Sequence, residues 1–321
     1  IDILSKKVVH GAFQDSNERF DAPKCHPKTR IVILKKILDW AEAMDKSSRI
    51  MWMYGPAGSG KSAIAQTTAE TFDGRRLAAT FFFSRKSADR SSAKHLLTTI
   101  AYQMAISIPG MRSLVEQVVE NDHSVFSRSL ETQFRRLVIN PFMEAMSRRQ
   151  ETMNSHLIII DGLDECRDAL VQGAIIKLFA SFFTQYETLP LTLLIASRPE
   201  RQIRDVFNIE DVNRISLRLV LDDTYNPDSD IKEYLQSKFS EIKQIHPLKQ
   251  HIDPKWPSEN IISQLVRKSS GQFIYASTAI KFISSLKYRP SERLDIILGN
   301  KQAGDETPFA HLDSLYMYTL A

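Results

Sequence analysis

The chain is poor in cysteine: 321 residues contain only Cys25 and Cys166. The two are far apart, form no C-x-x-C, and share no ligand spacing with the eight histidines. That argues against a structural zinc site and for a reducing compartment, with the cytoplasm as the expected location. No stretch approaches the ~20 apolar residues of a membrane span, so no membrane partner is expected. Internal repeats, low-complexity tracts and a signal peptide are also missing. The first residue is Ile1 rather than a methionine, so the sequence reads as a piece of something longer. An excess of charge of one sign is missing too. A net charge of +4 is too small to argue for nucleic acid, which is left resting on one loop containing Arg85, Lys86 and Arg90.

Against these absences stands one dense stretch, Gly55-Pro56-Ala57-Gly58-Ser59-Gly60-Lys61-Ser62. It fits G-x-x-x-x-G-K-[ST], the loop that cradles phosphates. Glycines let backbone N–H groups approach oxygens that a Cβ would block. Lys61 is placed to reach the β- and γ-phosphates, and the Ser62 hydroxyl is a Mg²⁺ ligand. The context agrees. Residues 50–54 are a continuous apolar run, as a buried parallel strand requires. Residues 62–70, starting with Ser62 and Ala63, read as a helix whose positive dipole end faces the phosphates.

In chain order, residues 1–24 are mixed and polar and read as a linker or short helix. Apolar spacing from Ile31 to Ala41 predicts an amphipathic helix with Thr29 as a candidate cap. Further buried strands are expected at 77–83, 156–161 and 191–197, with an alternating edge strand at 215–221. Helices fall near 93–108, 111–120, 129–147 (interrupted around Pro141) and 168–185. After about residue 222 no further strand is convincing, and helical spacing takes over at 231–239, 258–268, 273–286 and 291–298. The fold class is therefore α/β: a five-stranded parallel sheet flanked by helices, then a small all-helical domain.

Two features sharpen the phosphate reading. Asp161 closes an apolar strand, so its carboxylate lies at the sheet edge where open α/β folds bind ligands and can hold Mg²⁺ opposite Ser62. Asp164 and Glu165 follow, and either can orient or deprotonate a water. Arg198 follows the strand at 191–197 and suits a γ-phosphate through its planar fork.

These motifs, together with Cys25-His26-Pro27 before Thr29-Arg30, Phe81-Phe82-Phe83-Ser84-Arg85, and Ile195-Ala196-Ser197-Arg198-Pro199, resemble a NACHT domain, the nucleotide-binding module of STAND-class P-loop ATPases. The resemblance is closest to fungal proteins with a nephrocystin-type N-terminal NTPase region. It implies a Walker A loop at 55–62, a Walker B acid at Asp161, a catalytic carboxylate at Asp164 or Glu165 with Glu165 favoured, and a sensor arginine at Arg198. It places Thr29 and Arg30 near the adenine. It implies a linker at 1–24, a nucleotide-binding domain at 25–222, a helical domain at 223–300 and the start of a winged-helix region at 301–321. The helical stretch Ser270-Gly271-Gln272-Phe273 lacks the Gly-x-Pro of related switches.

The function so implied is an ATP/ADP-binding switch with slow Mg²⁺-dependent hydrolysis. It would control self-association and signalling of a larger NLR-like protein in innate immunity. The alternatives are a kinase for a small acceptor and a scaffold that binds nucleotide without turnover.

Overall fold

The computed structural model describes residues 1–43, 47–148, 155–301 and 308–309. The expected start of a winged-helix region at 301–321 falls almost wholly outside the described residues. Five strands form one parallel sheet: β1 (Ile50–Tyr54), β2 (Leu77–Phe82), β3 (His156–Asp161), β4 (Leu191–Ser197) and β5 (Ser216–Val220), in the order β2-β3-β4-β1-β5. All four pairings are parallel, with Met53 opposite Ala196 and Phe82 opposite Asp161. Parallel neighbours need long crossovers, and helices supply them. The inner strands are mostly apolar and almost wholly buried, as a parallel sheet covered on both faces requires. β5 lies at the sheet edge and is the least buried strand, with Leu217 exposed and Leu219 buried; its burial does not follow the expected alternation.

The other edge, β2, is fully buried. The helix α1 (Ile31–Glu42) precedes β1, α2 (Lys61–Phe72) follows it, and α3 (Leu96–Ser107) packs along β2. Gln103 of α3 satisfies the outward backbone of that edge. Its Oε1 accepts the Thr80 N–H at 3.0 Å and its Nε2 donates to the Thr80 carbonyl at 2.7 Å. A side chain thus stands in for the missing sixth strand and blunts the edge.

The helix expected at 129–147 is present, and its interruption has a specific form. Phe134–Ile139 is a π-helical turn leading into Asn140–Ser147, with Pro141 in its first turn. Proline has no N–H to offer the ladder, and the wider turn accommodates that loss. After α4 (Ala169–Gln185) and β4, two short helices, Arg201–Phe207 and Glu210–Arg214, complete the crossover to β5; their brevity left little periodicity to read.

By spatial contact the chain divides into two units. The sheet unit comprises Ile1–Lys24, Leu34–Gly55 and Lys61–Val220. Its core includes Leu4 and Ala12, both fully buried, so the polar stretch expected as a linker packs as part of the sheet unit. The helical unit comprises Cys25–Ile33, Pro56–Gly60 and the chain from Leu221. Its helices are α5 (Pro227–Ile245), α6 (Glu259–Ser269), α7 (Phe273–Ile283) and α8 (Pro290–Leu298), packed around Ile231, Leu235, Leu265 and Ile283. Division by contact differs from division by chain order, because two short early segments pack with the late helices. Among the described residues no helix is long and apolar enough to cross a membrane.

Candidate nucleotide-binding site

The glycine-rich stretch is a strand–loop–helix. Tyr54 ends β1, and α2 opens at Lys61, with Ser62 and Ala63 in its first turn. Gly58 and Gly60 have φ of +77° and +92°, a region that costs any residue with a Cβ. Lys61 Nζ donates to the Gly55 carbonyl at 2.8 Å, so the ammonium folds back over its own loop. Burial pushes the Lys61 ammonium down, and Asp164 and Asp161 oppose that shift.

Three strand ends in the sheet unit bring the other predicted residues together. Asp161 is 4% exposed, and the Ser62 hydroxyl hydrogen-bonds its carboxylate. Burial raises its carboxyl to about 6, against the pull of Ser62. Its Oδ1 is buried and has no hydrogen-bond partner. A buried, unsatisfied carboxylate oxygen beside a serine hydroxyl is a hard-oxygen donor pair, and Mg²⁺ held at phosphates asks no more of a protein than one or two carboxylates and a hydroxyl. The residues present therefore fit the ion.

Gly162, at φ +68°, turns the chain after β3 into the short helical turn Leu163–Glu165. Here the two candidate acids part company. Asp164 Oδ1 accepts the Arg198 N–H at 2.9 Å, and its Oδ2 lies 3.3 Å from Arg198 Nε. Asp164 thus holds Arg198 with both oxygens. Glu165 Oε2 accepts the Arg85 N–H at 3.0 Å. Burial is the main force raising the Glu165 carboxyl, partly offset by that N–H.

Two functional neighbours were not read from sequence. Arg85, noted there only as a motif residue and a loop cation, also donates through Nη2 to the Asp164 carbonyl at 2.9 Å. Arg19 comes from the stretch expected as a linker. Its Cζ lies 3.4 Å above the centre of the Phe82 ring, and Nη1 donates to Gln66 Oε1 of α2 at 2.8 Å. Burial lowers its guanidinium to about 10, opposed chiefly by Asp161. Nothing in a lone arginine of a polar stretch signals this.

Within the helical unit, Ser59 is 5% exposed and its carbonyl accepts from Arg30 Nη2 at 3.1 Å. The Ser59 N–H reaches the Pro56 carbonyl at 3.4 Å, closing a turn across Ala57 and Gly58. Thr29 is buried, but its hydroxyl donates to the His26 carbonyl at 2.7 Å, so it closes the turn before α1 rather than capping the helix.

A model of the family described as nephrocystin 3, N-terminal matches residues 29–198, over half of the 321 residues. The chain belongs to the nephrocystin 3 N-terminal family. The match spans the whole glycine-rich loop, Asp161, Asp164 and Glu165, and ends at Arg198. No curated protein sequence matches the chain. Among solved structures, the Walker-type ATPase PABY2304 of Pyrococcus abyssi superposes with a TM-score of 0.50 at 14% identity, covering 92% of this chain and 78% of that one. The Aeropyrum pernix ORC1 protein, solved in complex with DNA, gives a TM-score of 0.50 at 14% identity, covering 86% and 66%. At such identities the shared property is the fold, and it is the P-loop NTPase fold: five parallel strands flanked by helices.

Proposed function

We propose that this member of the nephrocystin 3 N-terminal family binds ATP and ADP with Mg²⁺ at the 55–62 loop and hydrolyses ATP slowly. One observation carries the reading: Lys61, Ser62, Asp161, Glu165 and Arg198 share one electrostatic environment at the carboxyl ends of β1, β3 and β4. Such an edge is where open α/β sheets bind ligands.

The roles follow from the partners already described. The loop amides and Lys61 hold the β- and γ-phosphates. Ser62 and Asp161 hold Mg²⁺, which when bound neutralises charge on the phosphate oxygens. Glu165 takes the proton of the attacking water, since burial biases it toward accepting one. Arg198, kept in place by Asp164, meets the charge that builds on the γ-phosphate. A site with this outcome suits a switch, in which the γ-phosphate's presence biases self-association of a larger NACHT-type signalling protein in the cytoplasm. The middle of the loop, Pro56–Gly60, packs with the helical unit.

The test is calorimetric titration with ATP, ADP and GTP, with and without Mg²⁺. Wild-type protein should bind ATP and ADP, with ATP affinity raised by Mg²⁺. Lys61→Ala should weaken ATP at least about a hundredfold, since it removes the main cation from a cluster of phosphate charge. Equal affinity in the two proteins would sink the reading.

A further inference from the structure

Arg30 is a buried cation of the helical unit. A guanidinium that is 5% exposed is costly unless its donors and charge are met. Here three partners meet its charge and part of its donor set. Nη2 donates to the Ser59 carbonyl of the phosphate loop at 3.1 Å. Its Cζ stands 4.7 Å from the centre of the Phe273 ring, at the start of α7. Asp230, in the first turn of α5, lies 3.9 Å from Nε and accepts the Arg30 backbone N–H at 3.1 Å. The backbone of Arg30 is itself left-handed, at φ +56°, which a non-glycine residue rarely adopts. Nε is buried without a hydrogen-bond partner. The side chain is therefore pinned in one pose, with a strained backbone and one unspent donor, and that pose points Nη2 at the loop.

A second contact falls on the same loop. A Cβ added at Gly58 would stand 2.4 Å from Ile274 Cγ2, so Ile274, next to Phe273, already touches the backbone of Gly58. The starts of two late helices thus bear on Pro56–Gly60, one through Arg30 and one directly.

The peptide bond turns this into a statement about phosphate. In a trans peptide the carbonyl of one residue and the N–H of the next point in opposite directions. Fixing the Ser59 carbonyl on Arg30 therefore aims the Gly60 N–H away from Arg30. We propose that Arg30 is a positioning residue for the phosphate loop: by holding the Ser59 carbonyl it presents the Gly60 N–H to bound phosphate, whatever base that phosphate carries. Asp230 and Phe273 hold Arg30 in turn. This rests on the phosphate-binding reading of the loop, and it gives Arg30 a role other than the adenine contact that the family resemblance implies.

The two roles make different demands, so three ligands separate them: Mg-ATP, Mg-GTP and Mg-tripolyphosphate, which has no base. Binding is measured by calorimetry on wild type, Arg30→Met and Arg30→Lys, with the ligand-free unfolding midpoint recorded for each. Arg30→Met should weaken all three ligands by one common factor, about tenfold for a charge-assisted hydrogen bond. Arg30→Lys keeps the charge but not the fork, and should fall between. A loss confined to ATP, with tripolyphosphate untouched, would assign Arg30 to the base and overturn the proposal. Wild-type binding of all three with no loss in either variant would also overturn it. Should Arg30→Met not fold, Arg30→Lys and Phe273→Leu carry the same comparison. Wild-type protein that binds none of the three would instead overturn the phosphate reading, and this proposal with it.

Discussion

Asp164 and Glu165 sit side by side in the chain, and only their partners tell them apart. Asp164 spends both oxygens on Arg198, whereas Glu165 has one oxygen on a backbone N–H. Glu165→Gln should therefore leave ATP affinity within about twofold and slow hydrolysis about a hundredfold or more, as loss of a general base does. Asp164→Asn should instead loosen Arg198 and lower both hydrolysis and the preference for ATP over ADP. Single-turnover phosphate release, read beside titrations, separates the two; the reverse pattern would swap the residues. The acidic side of the rate profile adds a check. Burial raises the Glu165 carboxyl, and a base must be unprotonated, so the rate should be full at high pH and fall as pH drops through that raised value. The fall should begin above the ordinary glutamate range, and Glu165→Gln should remove the share due to the base, leaving the fall that comes from protonating the raised Asp161 carboxyl. Sequence placed both acids at the sheet edge, but a side chain's partners belong to other strands and could not be read from it.

At the scale of elements, the strand–loop–helix around Lys61 was the most legible part of the chain. Its apolar strand, its glycines and the helix behind them each follow local rules. The glycines are needed for two separate reasons. Gly60 has open space around it but a φ only glycine adopts freely, while Gly58 has the φ and a close neighbour in Ile274. Gly58→Ala should abolish measurable ATP binding and lower stability by about 1–2 kcal/mol from the backbone alone. Adding Ile274→Ala relieves the contact but not the φ, so the double variant should recover only part of the loss in a denaturant melt. Full recovery would mean the backbone conformation costs nothing. Less legible elements were those whose shape answers to a neighbour. The π-turn at Phe134–Ile139 and the side-chain edge made by Gln103 carry no periodic mark in sequence.

For the whole molecule, the matched family begins at residue 29, yet the sheet unit's core begins earlier. Leu4 and Ala12 are fully buried, and Arg19 is wedged between Phe82 and Gln66. Removing residues 1–24 should lower the unfolding free energy by more than about 3 kcal/mol, since one buried leucine alone is worth ~2–5 kcal/mol. A linker would cost nothing, and an unchanged denaturation midpoint would show that it is one. What the amino-acid sequence determined unaided was the fold class and the place of the glycine-rich loop within it. Strand pattern, glycine spacing and the acids at strand ends are local signals, each set by a few neighbouring residues. What only the tertiary structure decided was who holds whom: Asp164 on Arg198, Arg19 beside Gln66, Arg30 on the Ser59 carbonyl. Those pairings join residues 29 to 47 positions apart, and a long-range pairing is fixed by packing of the folded chain, which no local pattern encodes.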